Sequence, residues 1–200
     1  MSKRAFDFLA SLVGLALLAI PLGAVALAII IDDGRPVLFR QTRVGLNGRE
    51  FSLLKFRTMV VNAEADGRLS VGKDRRITGV GRALRRYKLD ELPQLLNVLL
   101  GEMSLVGPRP EVPEYAHVYP EQERVWSVRP GITDPTSIEL YDESEILARV
   151  DDAERYYVDV LLPQKTRRYL AYIDSHSFLG DIGIILRTFG RVLHERTSSE

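Results

Sequence analysis

Tyr87-Lys88-Leu89-Asp90-Glu91-Leu92-Pro93-Gln94 sets two adjacent carboxylates between a basic run and a proline that opens an apolar helical pattern. Pro93 belongs in a first helical turn, where its missing N–H removes no bond. Leu95, Leu96, Val98, Leu99 and Leu100 then continue the helix until Gly101 stops it. The spacing therefore predicts Asp90 and Glu91 at a helix N-terminus. There the helix dipole and the cations Arg82, Arg85, Arg86 and Lys88 are expected to hold both carboxylates ionised, a state suited to a nucleophile or a Mg²⁺ ligand. Acidic residues also serve at helix starts as plain stabilisers, so the octapeptide alone leaves capping and chemistry both open.

Toward the N-terminus, Phe6 to Ile31 is almost wholly apolar, about 26 residues with one acid, Asp7, which is long enough for a membrane segment. Ala24-Val25-Ala26 has the look of a signal-peptidase site, but the apolar run continues through Ile29-Ile30-Ile31. Pro21 lies inside it and is expected to kink the helix, leaving arms of roughly 22 and 15 Å, neither of which crosses a hydrocarbon core of about 30 Å. A hairpin that enters and leaves one face competes here with a bent span. Positive residues on both flanks, Lys3 and Arg4 before and Arg35, Arg40 and Arg43 after, favour the cytoplasmic side for both ends.

Val37 to Gln41 and Phe51 to Phe56 read as short strands, with Asn47-Gly48 as the turn of a hairpin. Asn62 to Lys73 is polar and reads as a loop over a substrate. Arg75 to Lys88 is dense in cations, suited to a phosphate site or to a solvated face against anionic lipid. In Gly107-Pro108-Arg109-Pro110, prolines on both sides of one arginine pre-position a guanidinium fork that fits phosphate oxygens. Arg129-Pro130-Gly131-Ile132-Thr133 repeats the device, although both stretches also fit ordinary turns. Glu143 to Tyr172 predicts a helix pair broken at Pro163. Ser177 to Leu193 predicts an amphipathic helix for the membrane interface, for core packing or for dimerisation, followed by a polar tail.

Composition narrows the chemistry. The 200 residues carry 27 cationic and 27 acidic side chains, so no global charge points to nucleic acid. Cysteine is absent, which removes thiolate catalysis and Cys-based zinc sites, and His117, His176 and His194 lack metal-ligand spacing. Neither a phosphate-loop motif nor a complete dinucleotide fingerprint is present.

The ordered set of Lys3-Arg4 with a proline-broken apolar segment, Gln41-x-Arg43-x-Gly45, Lys55-Phe56-Arg57-Thr58-Met59, Leu89 to Gln94, Gly107 to Pro110 and Arg129 to Thr133 resembles the bacterial sugar transferase family, the monotopic phosphoglycosyl transferases. The likeness runs from about Lys3 to Leu193 and is to the minimal catalytic core, without the extra N-terminal transmembrane helices of larger members. It implies Mg²⁺-dependent transfer of a sugar-1-phosphate from a UDP-sugar to polyprenyl (undecaprenyl) phosphate at the bacterial cytoplasmic membrane, releasing UMP. By that resemblance Asp90 is the nucleophile and a metal ligand, and Glu91 its catalytic partner. Arg85, Arg109 and Arg129 contact phosphate or nucleotide, with Lys55 and Arg57 beside them, and Pro21 is the membrane kink. Ile20 stands where many members have serine, and Asp134-Pro135-Thr136-Ser137-Ile138 replaces a Gln-Val-Asn-Gly-Arg-like stretch near the sugar end.

The expected fold is mixed α/β but helix-rich: a re-entrant membrane helical hairpin over residues 1–33, a cytoplasmic-face catalytic domain with a small β-hairpin or sheet and interfacial amphipathic helices over 34–195, and a polar tail over 196–200. Partners are the donor, the acceptor and the bilayer, with no nucleic acid and with a homodimer left open. A catalytically inactive membrane-anchored scaffold of the same fold is the competing function.

Overall fold

The computed structural model describes residues 3–63, 74–118, 120–136 and 143–197; most of the loop expected over Asn62–Lys73 lies outside the described residues. The apolar segment forms one helix, α1 (Lys3–Asp33), which runs through Pro21. Two strands follow, β1 (Leu38–Val44) and β2 (Glu50–Phe56), paired antiparallel from Leu38 opposite Phe56 to Val44 opposite Glu50. The link is a tight turn in which Asn47 and Gly48 both take positive φ, 55° and 71°, as the Asn-Gly pair predicts. Both strands extend past the expected boundaries, so the hairpin is longer than read from the sequence.

α2 (Gly79–Arg86) starts at Thr78, whose hydroxyl accepts from the Gly81 amide at 2.9 Å, and a single 3₁₀ turn (Leu89–Glu91) leads into α3 (Gln94–Leu100). Gly101 closes α3 in the left-handed conformation, as expected. Pro93 precedes the first helical residue, so Asp90 and Glu91 sit on a separate turn just ahead of the helix. β3 (Ser104–Val106) and β4 (Gly131–Thr133) form a second, parallel pair that the proline-rich sequence did not disclose. Its close approach rests on glycine. A Cβ on Gly131 would lie 2.1 Å from the Gly107 nitrogen, and one on Gly107 would lie 2.3 Å from the Arg129 carbonyl.

Short helices α4 (Pro113–Ala116) and α5 (Gln122–Val125) lie between these strands. Beyond them come α6 (Glu143–Leu147), α7 (Ala153–Tyr156), a π-helical turn (Tyr157–Leu161) and α8 (Leu162–Ser175). The helix pair is thus divided between Leu147 and Ala153 and not at Pro163. Pro163 sits in the first turn of α8, where its missing N–H breaks nothing, and the π turn before it absorbs the change in hydrogen-bonding register. α9 (Phe178–Thr197) closes the chain and runs into the segment expected as tail; the Ser177 hydroxyl accepts from the Gly180 amide at its start.

The core is a set of small clusters around the 3₁₀ turn. Leu53, Val98 and Met103 join β2 to α3; Val106, Tyr172 and Ile184 join β3 to α8 and α9; and Val125, Tyr157, Leu161, Leu162 and Tyr169 seat the helical half. Asn97, fully buried, ties α3 to β2: its side chain accepts from the Leu54 amide at 3.0 Å and donates to the Ser52 carbonyl at 2.8 Å.

Both ends of α1 dock on this body. Near the start, Arg4 donates to the Val98 and Leu99 carbonyls at the C-terminus of α3. Buried Asp7 accepts from the Ser104 hydroxyl at 2.8 Å and from the Leu105 amide at 3.3 Å. Near the end, Ile29 packs with Phe56 and Leu84, Asp32 accepts from the Val80 amide at 2.8 Å, and Asp33 pairs with Arg57. Between the docked ends Leu12, Val13, Leu17, Ile20 and Leu27 are exposed, Ile20 beside Pro21 at 87%, while Leu22, Val25 and Ala26 pack toward Ile29. The most apolar 18-residue window of α1 has a mean hydropathy of 2.7.

Candidate active site

The 3₁₀ turn is entered through Lys88, whose φ of 53° puts a non-glycine residue in the left-handed region. That bend swings Asp90 and Glu91 inward, and both are buried. β2 brings Lys55 beneath them, the end of α2 brings Arg85, and the proline-flanked segment after β3 brings Arg109. Glu91 Oε1 accepts from Lys55 Nζ at 2.9 Å and from Arg109 Nη2 at 2.6 Å, so one carboxylate oxygen holds two cations. Arg85 is anchored by its Nε, which donates to the Thr58 hydroxyl at 2.9 Å, and it lies in the field of Asp90.

The two carboxylates separate electrostatically. Burial pushes the Asp90 carboxyl above its usual range; Lys55 opposes that rise and the neighbouring charge of Glu91 adds to it. Burial would also raise Glu91, but Arg109 and Lys55 outweigh it and hold the group well below the usual carboxylate range. The expectation that Arg82, Arg85, Arg86 and Lys88 keep both groups ionised meets a different arrangement: Glu91 is lowered chiefly by Arg109 and Lys55, and Asp90 is raised because desolvation dominates there. Glu91 in turn raises the Arg109 guanidinium, with Asp134 contributing.

Among the described residues Asp90 Oδ1 is buried without a hydrogen-bond partner, as is Gln94 Nε2 one turn further on. A buried, unsatisfied carboxylate oxygen is expensive and marks a group kept for a ligand or a reaction. Among the described residues no cluster of three or more acidic or histidine side chains can cage a metal. Asp90 is the carboxylate that could hold a magnesium ion together with substrate phosphates, the usual arrangement for that cation.

Of the residues singled out from sequence, the structure brings Lys55, Arg85, Asp90, Glu91 and Arg109 together. It sends two elsewhere. Arg57 is buried at the C-terminus of α1, donating to the Asp33 carboxylate at 2.8 Å and to the carbonyls of Asp33 and Gly34. Arg129 donates to the Gly101 carbonyl at 2.8 Å, beside Arg4, so both cover the negative end of α3, opposite to the end that faces Asp90. Sequence reasoning gave no site role to Arg43, named only as a flanking cation and a motif residue, nor to Glu111, Tyr157 and Lys165, a connected group behind Arg109. Only the Gln41-x-Arg43 spacing on one strand face hinted at it.

Residues 1–195 match the family model for bacterial sugar transferases. The chain is 40% identical to an undecaprenyl-phosphate glucose phosphotransferase of Komagataeibacter xylinus, over 99% of this chain and 37% of that protein. It is 38% identical to a UDP-glucose:undecaprenyl-phosphate glucose-1-phosphate transferase of Caulobacter vibrioides, over 96% of this chain and 70% of that protein. A UDP-N-acetylgalactosamine-undecaprenyl-phosphate N-acetylgalactosaminephosphotransferase of Aeromonas hydrophila is 40% identical over 66% of this chain and 32% of its own length.

Proposed function

We infer the activity from one premise: the chain belongs to the bacterial sugar transferase family. It transfers a sugar-1-phosphate from a UDP-sugar to polyprenyl (undecaprenyl) phosphate, giving polyprenyl diphosphate-sugar and UMP, the opening membrane step of glycan assembly. The observation that carries the reading is Asp90, a buried carboxylate with a partnerless oxygen among Lys55, Arg85 and Arg109. A scaffold without catalysis gains nothing from such a group, whose isolation costs about 1–3 kcal/mol.

The chemistry follows in two displacements. An Asp90 oxygen attacks the phosphorus that bears the sugar; the bond to the second phosphate breaks and UMP leaves with that bond's electron pair. A phosphate oxygen of the polyprenyl acceptor then attacks the same phosphorus, and Asp90 departs as carboxylate. Attack by an anion on an anionic diphosphate needs charge stabilisation at the transferring group. Arg109 and Lys55, held ready by Glu91, and Arg85, held by Thr58, provide it from the protein. A magnesium ion bound at Asp90 would supply further screening of the phosphate charge. Burial of Asp90 strips the nucleophile of water, and its raised pKa makes it a stronger base and nucleophile than an exposed aspartate.

The acceptor is a membrane lipid, and α1 supports its delivery. Both ends of α1 are fastened to one polar body while the middle, around Ile20 and Pro21, presents bare apolar surface. A helix crossing the bilayer would carry one end about 46 Å from the other, on the far side from that body. We therefore propose a monotopic arrangement on the cytoplasmic face, with Pro21 deepest in the lipid.

The relatives' sugars differ, so the test uses a panel of UDP-sugars. Purified protein with magnesium is expected to release UMP from one donor in an amount matching enzyme sites when acceptor is absent, and continuously when polyprenyl phosphate is added. Asp90→Asn, which keeps the shape but not the nucleophile, should abolish both while remaining folded. Substantial turnover by Asp90→Asn would overturn the assignment.

A further inference from the structure

We propose that Arg43 is a positioning residue for Arg109, acting through the backbone of the Pro108–Glu111 segment; the inference rests on the transferase reading above. Pro108 and Pro110 have no N–H, so this segment cannot tie itself together through those positions and is held mainly by what its carbonyls accept. Three of its four carbonyls accept from neighbouring strands, one from β4 and two from β1. The Pro108 carbonyl accepts from the Gly131 amide at 2.9 Å, the Glu111 carbonyl from the Val44 amide at 2.9 Å, and the Pro110 carbonyl from Arg43 Nη1 at 2.9 Å. The last bond adjoins Arg109 and is the one made by a side chain.

Arg43 is itself fixed. Its Nε and Nη2 both donate to Gln41 Oε1, at 2.9 and 2.5 Å, two residues back on the same half-buried face of β1. Nη1 also lies 3.8 Å from the Glu111 carboxylate. That carboxylate accepts from the Tyr157 hydroxyl at 2.5 Å, and Lys165 donates to the same hydroxyl at 3.1 Å while pairing with Glu143 at 2.7 Å. The π turn that begins at Tyr157 sets this hydroxyl over Glu111. Six polar groups, Gln41 and Arg43 of β1, Glu111 of the Arg109 segment, Glu143 of α6, Tyr157 of the π turn and Lys165 of α8, thus form one connected cluster beside the segment that carries Arg109 to Glu91. Removing charged groups from water is unfavourable, and an apolar cluster would hold the fold at least as well. What the polar cluster adds is direction, because Arg43 reaches the Pro110 carbonyl with one arm while Gln41 grips the other two nitrogens.

A lysine at position 43 keeps the charge but can reach either Gln41 or Pro110, not both. The test measures kcat/KM for UMP release by Arg43→Lys, Arg109→Lys and the double variant of the full chain. Each single variant should lose about tenfold or more. If Arg43 works through Arg109, the double variant should fall no more than about twofold below Arg109→Lys alone. Multiplicative losses would overturn the inference and leave Arg43 a general structural residue. Amide exchange over residues 107–111, read without any substrate, should quicken at least about fivefold in Arg43→Lys while α9 is unchanged; equal exchange would overturn it as well. If wild-type protein releases no UMP from any donor, the transferase reading fails and the exchange result alone decides this inference. Should Arg43→Lys not fold, Gln41→Leu removes the grip on the guanidinium, and the same exchange and coupling outcomes are expected of it.

Discussion

Replacing Glu91 with glutamine preserves the side chain's shape and one acceptor oxygen while deleting the charge that faces two cations. Wild-type Glu91 Oε1 holds Lys55 at 2.9 Å and Arg109 at 2.6 Å. Its side chain is 12% exposed, against 17% for Lys55 and 32% for Arg109. Removing one member of a fully buried ion pair costs about 3–5 kcal/mol, because the remaining charge loses its counter-ion. Here the cations keep some solvent and Asp90 stands nearby, so about 2–3 kcal/mol is the expected loss. For a chain of this size each kcal/mol moves the melting temperature by roughly 2–4 °C, giving a fall of about 4–12 °C at neutral pH. The pH dependence carries a sign. Glu91 is held below its unfolded value of about 4.3, so its stabilisation is complete above that pH and is lost as pH falls through the lower folded-state pKa. Thermal unfolding of wild type and Glu91→Gln in the same detergent should therefore show the full gap from pH 6 to 8, as round test values, and a narrowing gap below about pH 4. A variant as stable as wild type at neutral pH, or a gap that widens on acidification, would refute the account of Glu91 as the counter-ion of Lys55 and Arg109.

Arg57→Gln removes a guanidinium that binds the Asp33 carboxylate and two carbonyls at the end of α1. It should lower stability by about 1.5–3 kcal/mol while the donor KM stays within about twofold. A large rise in KM would return Arg57 to the substrate. Asp7→Ala strips partners from the Ser104 hydroxyl and the Leu105 amide, and a loss of about 1–3 kcal/mol is expected in thermal unfolding. An unchanged midpoint would show that Asp7 does not hold α1 to β3. Because the chain has no cysteine, Ser2→Cys and Ser198→Cys can be labelled singly with a membrane-impermeant reagent. Both should be protected in intact cells and react after lysis, whereas labelling of Ser2→Cys in intact cells would establish a crossing helix.

Features that depend on near neighbours in the chain were legible from the sequence alone. Asn47-Gly48 specified its hairpin because few other pairs take two positive φ values, and Gly101 ended α3 for the same reason. The apolar run to Ile31 specified helix, though it runs through Pro21 as one element where two arms were expected, and the adjacency of Asp90 and Glu91 placed the carboxylates on one turn. Tertiary structure decided which cations meet that turn. Arg57 and Arg129 look equivalent to Lys55 and Arg109 as charges in motifs, yet each is taken by helix-terminal carbonyls. Lys55 is 36 residues from Glu91 and Arg109 is 18, and no local pattern encodes those meetings. The split between the two carboxylates also had to await the fold, since burial is the largest cause that raises Asp90. The parallel pairing of β3 with β4 is fixed by glycine contacts between segments more than twenty residues apart, and the support behind Arg109 by Tyr157 and Lys165, far along the chain. Periodicity and turn chemistry are properties of a short window, whereas desolvation, counter-ions and close backbone approach exist only once distant segments have been brought together.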